Sequence, residues 1–189
     1  MVDKDISGMS WVRIAGGKFN TRKQKISHCQ IEIECDHTAV EALSGPAWDK
    51  IAPLRIFSFD IECNPKHGFP TEQNDEIITI ACVCKTSTEK SEKRIVLSLN
   101  ECAPIAEVYV ESFKKESEML QKFEQLMISY DPDFITGYNI INFDLKYILG
   151  RAQVLGLRNY GYFGRTITTL SRITTGKYLS KAMGMRDTK

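Results

Sequence analysis

The sequence predicts an α/β fold, a mixed sheet with flanking helices preceded by a small β-rich segment. Three observations carry that expectation. Short apolar, β-favouring runs bounded by turn residues fill residues 54–99, the apolar period switches to that of a helix after residue 116, and a short strand pattern at 134–137 separates two helical stretches. The 189 residues, 42% of them apolar, suffice for one sizeable core and a small second lobe.

In chain order, the alternation around Trp11, Val12, Arg13 and Ile14, and again over residues 26–33, reads as strands of a half-buried antiparallel sheet. Gly45-Pro46 is a turn signal and Pro53 opens the next unit, so a boundary is expected near Ala52, giving segments 1–52 and 53–189. Residues 54–62 are too short and too β-rich for a helix and read as a central strand. A loop with Pro65, Gly68 and Pro70 leads to a second buried strand at 77–84, and a third follows at 94–99, which together suggest an antiparallel meander. Met119, Leu120, Phe123, Leu126, Met127 and Tyr130 then recur at helical spacing, with Glu116 and Glu118 in the first turn and Asp131-Pro132 as the stop. After the strand at 134–137, Leu145, Ile148, Leu149, Ala152 and Leu155 lay out a second amphipathic helix ended by Gly156. Beyond Gly164 the periodicity fades, and residues 163–189 are expected to form a hairpin or mobile loop.

Composition narrows the function classes. No apolar run approaches the ~20 residues of a membrane span, and the N-terminus lacks a signal-peptide pattern, so a soluble, intracellular protein with no membrane partner is expected. Six cysteines without a C-x-x-C pair and three histidines without finger-like spacing argue against a structural zinc site or a disulfide framework. The 25 basic and 24 acidic residues conceal an asymmetry, because residues 145–189 hold nine basic side chains against Asp187 alone. Interleaved with Tyr160, Tyr162, Phe163 and Tyr178, such a segment suits single-stranded nucleic acid, and it equally suits a solvated tail.

The chemistry concentrates at two places. Asp60 and Glu62, at i and i+2 on the first central strand, leave the same face of the sheet. Two carboxylates so close repel unless a cation holds them, and an oxygen-only pair suits Mg²⁺ or Mn²⁺. Alternatively, both face water at a strand end. The second place is the strand-to-helix junction 136–144, where Asn142 could cap the helix and Asp144 could sit in its first turn for stability alone.

Phe59-Asp60-Ile61-Glu62 resembles the first exonuclease motif of family B DNA polymerases, and Gly137-Tyr138-Asn139 with Asn142-Phe143-Asp144 resembles the second. Flanking stretches at 51–55, 102–105, 131–133 and 186–189 resemble the eukaryotic replicative branch of that family. The resemblance implies a ribonuclease H-like fold and proofreading, the hydrolytic removal of a mispaired 3′-terminal nucleotide with two metal ions, Mg²⁺ or Mn²⁺. It implies Asp60, Glu62 and Asp144 as catalytic metal ligands, Asn139 as a support for the frayed strand, and Phe69 as an aromatic against the terminal bases, unless Phe69 only packs its loop. Phe143 and the basic residues Arg165, Arg172, Lys177 and Lys181 complete the expected DNA contacts. Single-stranded or primer-template DNA, the remainder of a polymerase and its replication subunits are the implied partners, and the nucleus the implied compartment. Residues 1–52 would be the end of the polymerase N-terminal domain and 53–189 the first portion of the exonuclease domain.

One departure bears on activity. Active members carry a third motif, Tyr-x-x-x-Asp, and no tyrosine here is followed by an aspartate four residues on. Two expectations follow: a proofreading fragment lacking one of four metal ligands, or a non-catalytic module that holds single-stranded DNA or replication partners through its basic segment.

Overall fold

The computed structural model describes Lys4, residues 6–174, and the backbone of 176–180 and 184–188. It divides into two compact units, Met1–Pro53 and Leu54–Lys189.

The first unit holds four three-residue strands, β1 (Val12–Ile14), β2 (Phe19–Thr21), β3 (Ile33–Cys35) and β4 (Val40–Ala42), with a 3-10 turn at His37–Ala39. β1 pairs with β4 and β2 with β3, both antiparallel. The expected strand over 26–33 is confined to its last residue. The Glu32 carboxylate explains why: it accepts from the Ile26 and Ser27 amides and the Ser27 hydroxyl, closing a turn in place of a ladder. Trp11 and Trp48 pack at 6.1 Å, and the Trp11 indole donates to the Lys50 carbonyl.

The second unit is built on β5 (Arg55–Cys63), β6 (Ile77–Thr86), β7 (Lys93–Leu99), β8 (Tyr109–Phe113), α1 (Glu116–Tyr130), β9 (Phe134–Thr136) and α2 (Asp144–Val154), followed by the antiparallel hairpin β10 (Gly176–Ser180) and β11 (Gly184–Thr188). The five-stranded sheet runs β8-β7-β6-β5-β9. β5, β6 and β7 form the expected antiparallel meander, whereas β8 joins β7 and β9 joins β5 in parallel. Periodicity does not announce β8, because its five residues form a half-exposed edge strand whose alternation is weak.

Period-2 alternation on β5 buries Phe57, Phe59 and Ile61. Against them, α1 presents Met119, Leu120, Phe123 and Met127, with Phe59 and Phe123 ring centroids 5.1 Å apart. At its C-cap, Asp131 adopts a left-handed conformation (φ 50°) and its carboxylate accepts from Arg55 and Arg165. Asp133 then exchanges hydrogen bonds with the Arg55 backbone, its carboxylate taking the amide and its own amide reaching the carbonyl, each at 2.8 Å. That exchange seats β9 beside the start of β5.

The buried face of α2 differs from the expected one. Asp144, Tyr147, Ile148, Arg151 and Ala152 are buried, while Leu145, Leu149 and Leu155 are only half-buried. The apolar stripe read from the sequence is therefore rotated, because polar groups with partners occupy the inner face. Chief among them, Arg151 makes a two-point ion pair with Glu116 of α1, with its Nε 2.9 Å from Oε1; that oxygen also accepts the Ile77 amide at 2.8 Å. Glu116, in the first turn of α1 as expected, also ties α1, α2 and the start of β6 together.

Candidate active site

β5 presents its acids at the end of a rigid ladder. Asp60 pairs with Ala81 and Glu62 with Thr79 on β6, and the register shifts between Glu62 and Cys63, ending the regular pairing. Both acids are exposed, on the face opposite Phe57, Phe59 and Ile61. On its other edge β5 pairs with β9 only as far as Ser58. Beyond that point the chain leaving β9 crosses β5 so closely that a Cβ on Gly137 would collide with the Phe59 carbonyl and the Ile140 side chain, which is why glycine stands there.

Asp144 exploits the freed edge. From the first residue of α2, its Oδ1 accepts the Ile61 amide at 3.1 Å, between Asp60 and Glu62 in sequence, and the side chain is almost wholly buried. Burial pushes the Asp144 carboxyl up from its ordinary value; the amide bonds from Ile61 and its own backbone oppose this, and the negative charges of Asp60 and Glu62 add to it. The third carboxylate is thus electrostatically coupled to the other two. Asn142 does not cap α2: the N-cap position is Phe143, without a side-chain bond. Instead Asn142 Nδ2 donates to Asn139 Oδ1 at 2.9 Å, and the Asn142 and Phe143 amides donate to the Asn139 carbonyl. Asn139, exposed and left-handed (φ 54°), is the turn that delivers Asp144 to β5.

An aromatic ladder borders the acids. Phe69, 76% exposed on the loop after β5, meets Phe143 edge-on at 5.4 Å, and Phe143 meets the buried Tyr147 at 5.4 Å. An exposed ring held against a second aromatic suits stacking on a base. The basic candidates fare differently. Arg165 Nε lies 2.6 Å from Asp131 and its Nη2 2.6 Å from Asp133, so its charge is engaged by carboxylates, which speaks against a part in DNA binding. Arg172 is exposed on the rim of a cleft of about 700 Å³ lined by Ile135, Gly137, Ile140, Leu145 and Phe163. The side chains of Lys177 and Lys181 lie outside the described residues.

The donor set of Asp60, Glu62 and Asp144 is oxygen-only, as hard divalent cations require. Among the described residues no group of three or more Asp, Glu, His or Cys side chains is arranged to hold a metal ion. Nor, among them, is any helix long and apolar enough to cross a membrane. Three participants escaped the sequence reading. Asp75 closes the Phe69 loop, Tyr147 backs the ladder, and Cys63, its thiol pushed up to about 11 by burial, lies within hydrogen-bonding reach of Tyr147. The spacing of Phe143, Tyr147 and Arg151 at i, i+4 and i+8 was the available signal for the second.

A family model of the family B DNA polymerase exonuclease domain matches residues 1–185. The DNA polymerase delta catalytic subunit of Mesocricetus auratus is 38% identical over 195 residues, and that of Drosophila melanogaster 40% over 196. These alignments take in 100% and 99% of this chain and 18% of each relative, so the chain spans about a fifth of their length. Among solved structures, the family B DNA polymerase of the archaeon Pyrobaculum calidifontis matches 88% of this chain and 18% of its own with a TM-score of 0.54 at 23% identity, a likeness of fold.

Proposed function

This chain belongs to the exonuclease-domain family of family B DNA polymerases, and from that premise we propose that it carries the acid-bearing and strand-gripping part of a 3′–5′ proofreading nuclease. The observation that carries the reading is the Asp144–Ile61 hydrogen bond, which brings a third carboxylate beside Asp60 and Glu62 across 83 residues of sequence.

The chemistry of the donors fits Mg²⁺ or Mn²⁺, and Asp60, Glu62 and Asp144 would hold them. Such ions supply, when bound, an activated water and stabilisation of the leaving 3′ oxygen. The chain's own residues orient the strand. Phe69 stacks on the 3′-terminal base with Phe143 behind it, and the turn at Asn139 supports the frayed end. Asp60 and Glu62, exposed, are free to rotate toward the cation, while Asp144 is fixed by the β5 edge. In the delta-like reading, the fourth ligand is the aspartate of a Tyr-x-x-x-Asp segment, the unit acts within a replicative polymerase on single-stranded or mispaired primer ends, residues 1–52 belong to the polymerase N-terminal domain, and the compartment is the nucleus.

The test fuses this chain to the corresponding downstream segment of the Mesocricetus auratus relative and follows mononucleotide release from a 5′-labelled single strand with Mg²⁺ or Mn²⁺. Release by the fusion that disappears in its Asp60→Ala form is the expected result. Release that survives Asp60→Ala contradicts the assignment. Strand binding by the chain that persists with no release from the fusion favours a non-catalytic binding module instead.

A further inference from the structure

The loop carrying Phe69 is long, exposed and interrupted by Pro65, Gly68 and Pro70, so its fixed geometry needs an explanation. Part of it is internal. The Asp75 carboxylate accepts the Lys66 amide at 3.0 Å and the Thr71 amide at 2.8 Å, stapling the loop into a ring. The rest comes from α2. Tyr147 Oη lies 3.0 Å from the Thr71 carbonyl and 2.8 Å from the Asp75 carbonyl. One turn on, Arg151 Nη1 donates to the Glu72 carbonyl at 2.7 Å. Between them Gly150 leaves room for Glu72, whose Cγ would lie 2.8 Å from a Cβ there. Tyr147 is also the inner ring of the ladder, since it packs on Phe143.

We infer that Tyr147 and Arg151 are positioning residues, which hold the Thr71–Asp75 carbonyls so that Phe69 is fixed against Phe143 in register with the terminal base of the bound strand. The inference rests on the proposed reading of Phe69 as a base-stacking residue. Its physical basis is that two buried side chains of one helix reach three carbonyls of the loop, Arg151 donating to Glu72 and the single Tyr147 hydroxyl proton shared between Thr71 and Asp75, and that same helix begins with Asp144. The loop and the third carboxylate therefore share one rigid support, which fixes the distance from stacked base to acids. Arg151 is itself held by Glu116, so the support extends into α1.

The experiment uses the full chain without divalent ions and a single strand carrying 2-aminopurine at its 3′ terminus. Anisotropy of a 5′ label gives overall affinity, and the 2-aminopurine signal at saturation gives the stacking of the terminal base. Tyr147→Phe keeps the ring and removes only the hydroxyl, and Arg151→Lys keeps the charge and removes the reach to Glu72. For both, affinity within about twofold of wild type is expected, with roughly a tenfold fall in the ratio of stacked to unstacked terminal base. Phe69→Ala is expected to abolish the signal. If Phe69→Ala loses the signal while Tyr147→Phe keeps it, the positioning inference fails and the stacking reading stands. If Phe69→Ala keeps the wild-type signal, the stacking reading fails and the inference with it. Should Arg151→Lys unfold, Tyr147→Phe decides alone, with exchange of the Lys66 and Thr71 amides reporting whether the loop is still closed.

Discussion

The end of β5 and the loop that follows it both expose the residues proposed to meet the substrate, but they are held in opposite ways. Asp60 and Glu62 ride on a backbone ladder to β6, so their side chains contribute nothing to the geometry that presents them. Phe69 rides on a segment whose shape depends on side chains: Asp75 within it, and Tyr147 and Arg151 more than 70 residues away. On the strand, function and fold are separable residue by residue. On the loop, replacing a buried side chain that touches no substrate should still move a substrate contact.

The most damaging change should be to the support of the loop side. Glu116→Ala leaves Arg151 buried with its ion partner gone and the Ile77 amide unpaired, and should cost about 3–5 kcal/mol, read as a lowered urea midpoint by circular dichroism. Next comes the seam between the two regions. Gly137→Ala forces a Cβ onto the Phe59 carbonyl and should cost about 1–3 kcal/mol while accelerating hydrogen exchange of the Ile61 amide, as Asp144 is pushed from β5. A stability loss with Ile61 protection intact would show that the seam does not carry Asp144.

Acid sharpens the contrast further. The amides of Lys66 and Thr71 hold the Asp75 carboxyl below its ordinary value. Its stabilisation of the loop is therefore complete above the ordinary aspartate range, about pH 4, and is lost as pH falls through the lowered value. In Asp75→Asn, exchange of the Lys66 and Thr71 amides, faster throughout, should lose that acid-dependent step, whereas the β5 amides other than those of Arg55 and Ile61, which the Asp133 and Asp144 carboxylates hold, should show none in either protein. The smallest effect on stability belongs to Asp60→Asn and Glu62→Gln. Both side chains are exposed and unpaired by the ladder, so each should shift the unfolding free energy by no more than about 0.5 kcal/mol.

The same contrast explains what the sequence disclosed. The meander, α1 and the short strand at 134–136 follow from periodicity, which records the alternation of Phe57, Phe59 and Ile61 and the helical recurrence of Met119 to Met127. The acids were legible because two carboxylates at i, i+2 on an apolar strand are chemically odd. Periodicity could not report Asp144 on the Ile61 amide, Tyr147 on the Thr71 and Asp75 carbonyls, or Arg151 on Glu116, because side-chain bonds between distant residues leave no local pattern. Arg165 shows the same limit: a basic residue in a basic segment reads as a free cation until Asp131 and Asp133 are found beside it. Likewise Glu32 turned an alternating stretch into a closed turn.

The claim that binds these observations together is that Asp144 completes a cation-binding set with Asp60 and Glu62. Calorimetric titration of Mn²⁺ into the chain, Asp60→Asn, Asp144→Asn and the control Asp75→Asn tests it most directly. The account predicts saturable binding by the chain and by Asp75→Asn, and its loss in both of the other variants. Equal Mn²⁺ binding by all four proteins would contradict it.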